Sequence, residues 1–422
     1  MPDFNQYRED IQAIINAALE QADPQTAVAN HLHKKGNLLT IGSHQFDLTN
    51  GRLFILSIGK AAVPMALAAV EIVGETAVAG GGILAKHLPE ETKFPLPAYE
   101  GNHPVPGEKS IEATQNLLQT LHNLTANDLV LCLISGGASA LFTQPLLPLA
   151  KMQGITQALL ASGCTIQELN TVRRQLDRVK GGGLARLAAP AYVLSLILSD
   201  VVGNDLASIG SGPTVATQET ANDAIAILER YGIALQDIGH AGSDVRSPTN
   251  VLDNVIIGSI QQSVQAAAAK AEKLGFHTRL LTTKLEGEAR EVGQFAAALA
   301  KDAPPQSATL LGGETTVTLR GNGIGGRNLE TALAAAIGLE GWDNRTITSF
   351  ATDGDDGTSG VAGATVTGQT VTEKQAALAY LNNNDSYTYF AQQDAALNGP
   401  HLIKTGPTGT NVNDLILILN YT

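Results

Sequence analysis

Two cysteines, Cys132 and Cys164, are too few for a disulfide framework or a thiolate metal site. Aromatic residues are scarce as well, at 4%, whereas alanine, glycine, leucine and valine abound, which suits close packing of helices on sheets. No apolar run approaches the roughly 20 residues that a membrane-spanning helix needs. The leading segment MPDFNQYREDIQ lacks a basic stretch followed by an apolar one, so no export signal is read there and a cytoplasmic protein is expected. Basic residues are outnumbered, and the net charge of −13 argues against nucleic acid or an anionic membrane as partner. A phosphorylated ligand stays possible, because a local nest of N–H groups can oppose the global field. The length of 422 residues allows two or three domains, each with a core of its own.

What is present is an alternation of strands and helices. Asp128–Leu141 (DLVLCLISGGASAL) has six unbroken apolar residues, Leu129 to Ile134, as in a strand buried on both faces, with Cys132 inert inside it. The run ends in Ser135-Gly136-Gly137-Ala138-Ser139 and a helix-compatible stretch. Such a turn gathers backbone N–H groups and a helix N-terminus into an anion site, unless it is an ordinary strand-to-helix turn. Strands are expected near 52–59, 80–84, 192–198, 255–258, 278–282, 307–311, 346–351 and 415–419. Helices fall between them, with an amphipathic one first, over 7–20, and a helix or helix pair over 166–187. Polar residues 232–249 form the best linker. The reading is therefore two α/β domains with largely parallel sheets, 1–240 and 250–422, binding ligands where strands end.

Four further stretches lie at such ends. In Ser57-Ile58-Gly59-Lys60, a lysine opens a helix against its dipole, a placement better explained by an anionic ligand than by stability. It is not a Walker A loop, since Phe54 and Ala61 occupy positions that need Gly and Ser or Thr. Asp200, after the strand ending at Leu198, can hold magnesium, accept a proton or simply cap a helix. Gly321, Gly323 and Gly326 satisfy GxGxxG, yet no acid follows at the expected spacing, and Arg327 points a guanidinium at the turn instead. A flexible glycine hairpin is the bland alternative. Asp353, Asp355 and Asp356 crowd one turn and would repel unless a cation or basic group joins them. His103, between prolines in NHPVP, reads as structural rather than catalytic. The remaining histidines show no metal-ligand spacing, and no GxSxG elbow suggests acyl transfer.

Taken in order, SIGKAA, GNHPVPG, ISGGASAL, LNTVRRQLDRVKGGGLA, LSDVVGNDLASIGSGPT, GGETTVTLRGNGIGGRNLE, ATDGDDG and GPTGTNVNDLILIL closely resemble the glycerate 2-kinases of the MOFRL family. Bacterial members of that family have also carried the label hydroxypyruvate reductase. The resemblance implies a Rossmann-like N-terminal domain, a C-terminal domain holding the MOFRL segment over about 305–422, and an interdomain cleft. It implies ATP- and magnesium-dependent phosphorylation of D-glycerate on its 2-hydroxyl, giving 2-phosphoglycerate. The family's charged positions are matched by Lys60, Asp200, Arg327 and Asp353, expected to meet across one crevice facing the Ser135 turn. The glycine loop is matched by Ser135, Gly136, Gly137 and Ser139, expected to hold an ATP phosphate. Ala138, Asp177, Asn204 and Asp355 depart from the usual pattern.

Phosphoryl transfer requires positioning and charge neutralisation above all. Lys60, Arg327 and magnesium would offset phosphoryl charge, and Arg327, Arg173 and Lys180 compete to bind the glycerate carboxylate. Asp200 and Asp353 would share the roles of base and metal ligand, in either assignment. Two rivals are a nicotinamide-dependent hydroxypyruvate reductase, supported only by GxGxxG, and a non-catalytic binder of acidic metabolites. A homodimer is an open option that the sequence does not decide.

Overall fold

The computed structural model describes residues 4–90, 93–233, 247–396 and 400–422. It divides into two compact units, Pro24–Ile257 and the combination of Met1–Asp23 with Gly258–Thr422.

In the Pro24–Ile257 unit, six strands form one sheet in the spatial order Ala98–Glu100, Val78–Ala85, Leu53–Ile58, Leu129–Ile134, Tyr192–Leu198, Val251–Gly258. The pairings among the first five are all parallel. Every residue of Leu53–Ile58 and of Leu129–Ile134 is buried, as their unbroken apolar runs require for a sheet covered on both faces. Alternate residues Phe54, Leu56, Ile58, Val130, Cys132 and Ile134 share one cluster with helix residues such as Leu117 and Leu184. Burial pushes the Cys132 thiol up to about 12, which leaves it unreactive. The stretch 166–187 is a helix pair, Ile166–Gln175 and Gly183–Ala188. Thr165 and Glu168 cap the first helix reciprocally. A small antiparallel meander, Leu32–Lys35, Leu38–Ile41 and His44–Asp47, also belongs to this unit and was not anticipated.

The other unit has six strands in the order His277–Leu285, Ser307–Gly313, Asp414–Asn420, Arg345–Ala351, Gly363–Thr367, Leu402–Ile403. Here the expectation of a largely parallel sheet needs correction. Only the first pair is parallel, because Asp414–Asn420 enters antiparallel between two neighbours and Gly363–Thr367 folds back beside Arg345–Ala351. A fully buried apolar strand reads the same in either direction, so the sequence could not tell. Small residues let helices Ala289–Asp302 and Arg327–Leu339 pack closely, through Ala296, Ala297 and Ala300 against Ala332, Ala335 and Ala336.

The boundaries also differ from 1–240 and 250–422. Helix Phe4–Gln21 buries Ile11, Ile14, Ile15 and Ala18 against Ile260, Val264 and Leu415, so it joins the C-terminal unit. Strand Val251–Gly258 completes the first sheet, moving that boundary to Ile257. The linker expected over 232–249 lies mostly outside the described residues. Among the described residues no helix is long and apolar enough to cross a membrane.

Candidate active site

Within the Pro24–Ile257 unit, the exits of two neighbouring parallel strands are tied together. The Ala61 N–H donates to Ser135 Oγ at 3.0 Å, and the Lys60 N–H donates to the Gly136 carbonyl at 2.8 Å. Ser135 is therefore not a free donor for a ligand. Its buried hydroxyl fastens the Lys60 turn, and its remaining weak contact, at 3.4 Å, is donated to the Ile58 carbonyl. That corrects the expectation that Ser135 binds phosphate directly.

Asp200 closes the group. A Cβ on Gly136 would lie 2.3 Å from Asp200 Oδ2, so only glycine permits the carboxylate to sit against this turn. A Cβ on Gly137, whose φ is +83°, would lie 3.1 Å from the His103 ring and 3.3 Å from Lys60 Cγ. Lys60, His103, Gly136, Gly137 and Asp200 thus share one small volume. Burial raises the Asp200 pKa, opposed by the Lys60 ammonium and by the Gly137 N–H that donates to it. His103 is pushed down to about 4 by burial first and then by Lys60, Lys86 and His87, so its imidazole is neutral near pH 7. Sequence reasoning set His103 aside as structural; the cue that could have retained it was its place in a stretch matching the family.

Ser139 is half-buried, with its Oγ 3.0 Å from Ser211 Oγ, and it begins no long helix, since Ala138–Leu141 is a single turn. Lys180 is not placed to meet substrate. It is buried, and its ammonium donates to the Ser139 and Phe142 carbonyls at 3.0 and 2.9 Å while pairing with Asp177 Oδ2 at 3.2 Å. Those contacts use all three of its hydrogens, so Lys180 is a brace under the loop. Arg173 differs. It is half-buried, and among the described residues no hydrogen bond or ion pair occupies its guanidinium. Desolvation lowers its pKa, as expected of an arginine without an acidic neighbour.

The second unit carries the other expected charges. Arg327 opens helix Arg327–Leu339 and makes a two-pronged contact with Asp414, Nε to Oδ2 at 2.5 Å and Nη2 to Oδ1 at 2.9 Å. Nη1 lies 3.3 Å from Glu314 Oε1. These carboxylates hold the guanidinium charged well above its ordinary range, against the cost of burial. Asp414 was missed because it hides at the start of an apolar strand, where one acid reads as a strand end. The fork is thus filled by the protein itself, and Arg327 has less to offer a substrate carboxylate than the sequence suggested.

Of the three crowded acids, Asp356 turns inward. It accepts from the backbone N–H groups of Asn328 and Leu329 at 3.0 and 2.8 Å, capping the helix that Arg327 opens, and burial pushes it up to about 6. Asp353 is half-buried and accepts the Asp355 N–H at 3.2 Å; Asp355 is exposed. The expected repulsion is relieved by this divergence.

The same cap answers the GxGxxG question. A dinucleotide pyrophosphate would need the helix N-terminus that the Asp356 carboxylate already occupies. The glycines serve packing instead: a Cβ on Gly323 would lie 2.3 Å from Asp385 Cβ, and one on Gly326 would lie 2.4 Å from Asp356 Cγ.

Among the described residues, no three His, Cys, Asp or Glu side chains gather into a ligand set of their own. That donor chemistry still fits magnesium, which is typically held by one or two carboxylates together with substrate phosphates, and Asp200 and Asp353 are of the right kind.

A parallel sheet that sets a lysine and a half-buried carboxylate beside a glycine turn at its strand exits is the layout of an α/β enzyme handling small anionic molecules. Residues 10–240 match the model of a domain of unknown function, DUF4147, and residues 307–414 match that of the MOFRL family. A D-glycerate 2-kinase of Thermotoga maritima is 40% identical over 96% of each chain, and a glycerate 2-kinase of Pyrococcus horikoshii is 34% identical, also over 96% of each. A protein named as a putative hydroxypyruvate reductase, from Agrobacterium vitis, is 37% identical over 98% of this chain and 94% of its own. A crystal structure of glycerate kinase from Thermotoga maritima superposes with a TM-score of 0.89 at 38% identity, covering 99% of this chain and 100% of that one. The chain belongs to the glycerate 2-kinase family, with a DUF4147 region followed by a MOFRL region.

Proposed function

We propose that the protein transfers the γ-phosphoryl group of ATP to the 2-hydroxyl of D-glycerate, giving 2-phosphoglycerate and ADP. The observation that carries this reading is the joint packing of Lys60 and Asp200 on the Gly136–Gly137 turn. It puts a cation for phosphoryl charge beside a carboxylate whose raised pKa suits proton acceptance. Lys60, Asp200, Arg327 and Asp353 are the catalytic set.

Gly136, Gly137 and the hydroxyl of Ser139 would receive a phosphate of ATP, with Ser135 holding the turn in shape. Asp200 would take the proton of the attacking hydroxyl. Arg173, half-buried and without a partner among the described residues, is the better candidate for the glycerate carboxylate, since the Arg327 fork is already filled. Arg327, fixed by Asp414, would supply its remaining N–H edge to the transferring phosphoryl. With Asp200 as base, Asp353 would hold magnesium, which when bound adds positive charge to the phosphates.

The test is product analysis. Incubation with D-glycerate, ATP and magnesium should give 2-phosphoglycerate by phosphorus NMR; 3-phosphoglycerate would overturn the regiochemistry, and no product would overturn the reaction. Hydroxypyruvate with NADH should show no steady loss of absorbance, because the helix that would face a dinucleotide is capped by Asp356.

A further inference from the structure

A cavity of about 370 Å³ opens in the Pro24–Ile257 unit, and none of its lining belongs to the Lys60–Asp200 group. His122 on its wall precedes the strand that enters at Leu129, whereas Ser135 follows that strand's exit at Ile134, so the cavity lies toward the other end of the sheet. Leu118, Leu121 and Leu187 give it an apolar side. Its one full charge is Arg178, and the lining has no acidic side chain. Among the described residues no hydrogen bond or ion pair occupies the Arg178 guanidinium. Beside it, Gln144 Oε1 is buried and no donor reaches it. A buried acceptor without a partner costs about 1–3 kcal/mol, so a bound donor there would remove a standing penalty.

The cavity is also wired to the loop. The Arg178 N–H donates to the Gln144 carbonyl at 2.9 Å, and the Gln144 N–H donates to Asp177 Oδ1 at 3.1 Å. Asp177 pairs with Lys180, which holds the Ser139 and Phe142 carbonyls. Anything that moves Gln144 or Arg178 therefore acts, one residue away, on the brace beneath Ser135–Ser139.

We infer that this cavity is an effector site for a small organic oxyanion. The oxyanion sits on Arg178, a hydroxyl or amide of the ligand donates to Gln144 Oε1, and the carbon body lies against the leucines. Occupancy alters turnover through Asp177 and Lys180. Binding stands on the cavity alone; the effect on turnover rests on the phosphotransfer reading.

Calorimetric titration of the full chain with inorganic phosphate, with malate and with neutral glycerol tests both parts. Phosphate or malate should bind while glycerol does not, and whichever binds tighter identifies the ligand as phosphoryl or carboxylate. Arg178→Gln should weaken binding about tenfold, and Gln144→Leu should weaken malate, whose hydroxyl loses its acceptor. Lys60→Ala should leave probe binding unchanged. Equal affinity in wild type and Arg178→Gln, or loss of binding in Lys60→Ala, overturns the site by returning the anion to the catalytic loop. Saturating probe should change kcat in the wild type and not in Arg178→Gln; Arg178-dependent binding with kcat unmoved overturns the coupling. Absence of any phosphotransfer by the wild type would count against the proposed reaction and leave the binding arms to be judged as they stand.

Discussion

The two units hold their key cations in opposite ways. Lys60 is exposed, and among the described residues it makes no ion pair; it acts through space on Asp200 and His103. Arg327 is clasped by Asp414 and approached by Glu314. The difference separates two tasks. A flexible, strongly hydrated ammonium can follow a charge that moves during reaction, whereas a guanidinium pinned by a two-pronged contact offers a fixed edge. On the proposed reading, the first would contribute mainly charge and the second mainly geometry.

Four experiments sharpen that contrast. The largest effect is expected for Lys60→Ala, which should lower kcat about a hundredfold or more with an unchanged circular dichroism spectrum, because a charge contact made in the transition state is worth a few kcal/mol. Near-normal turnover would remove Lys60 from the site.

Gly136→Ala comes next. The new methyl group would collide with Asp200, and displacing a reacting carboxylate by an ångström can cost up to about a hundredfold. Steady-state kinetics should show the loss in kcat, and a crystal structure should show Asp200 moved; a displaced Asp200 with a full rate would exclude it as the base.

Asp414→Asn keeps the shape but loosens Arg327. A loss of about tenfold in kcat is expected, with Asp414→Glu restoring part of it, since a hydrogen bond to a charged group is worth about 1.5–3 kcal/mol. A change confined to the glycerate KM would instead give Arg327 the carboxylate-binding role.

The smallest effects are on acid stability, and they run in opposite directions. His103 has its folded pKa lowered from 6.5 to about 4, so the stability it contributes is present above about pH 6.5 and is lost as pH falls toward 4. Asp356 has its folded pKa raised from 3.8 to about 6, so its contribution is present below about pH 3.8 and is lost as pH rises through 6. Urea midpoints measured across this window should lose the acid-side fall in His103→Asn and the alkaline-side fall in Asp356→Asn. Parallel curves for wild type and variant would refute the assigned cause in either case.

Much was legible in the residues themselves. Strand Tyr192–Leu198 and helix Arg327–Leu339 announce themselves through apolar runs and helical spacing, which are local properties. Lys60 and Asp200 were visible because a charge at the end of a buried strand is locally anomalous. Two contacts could not be read locally because the partners are remote in number: the Phe142 carbonyl that helps hold Lys180, and the Asp414 carboxylate that fills the Arg327 fork. A sequence shows that a charge is present and hides what neutralises it.

What the chain determined alone was therefore the kind of each element, the two α/β units and the family motifs, since these follow from periodicity, turn residues and short runs. Strand direction in the second sheet, the transfer of helix Phe4–Gln21 to the C-terminal unit, the capping role of Asp356 and the choice between brace and binder for each cation were decided only in three dimensions. The physical reason is that burial and pairing are properties of neighbours, and the neighbours that decide here are joined by folding across long stretches of chain.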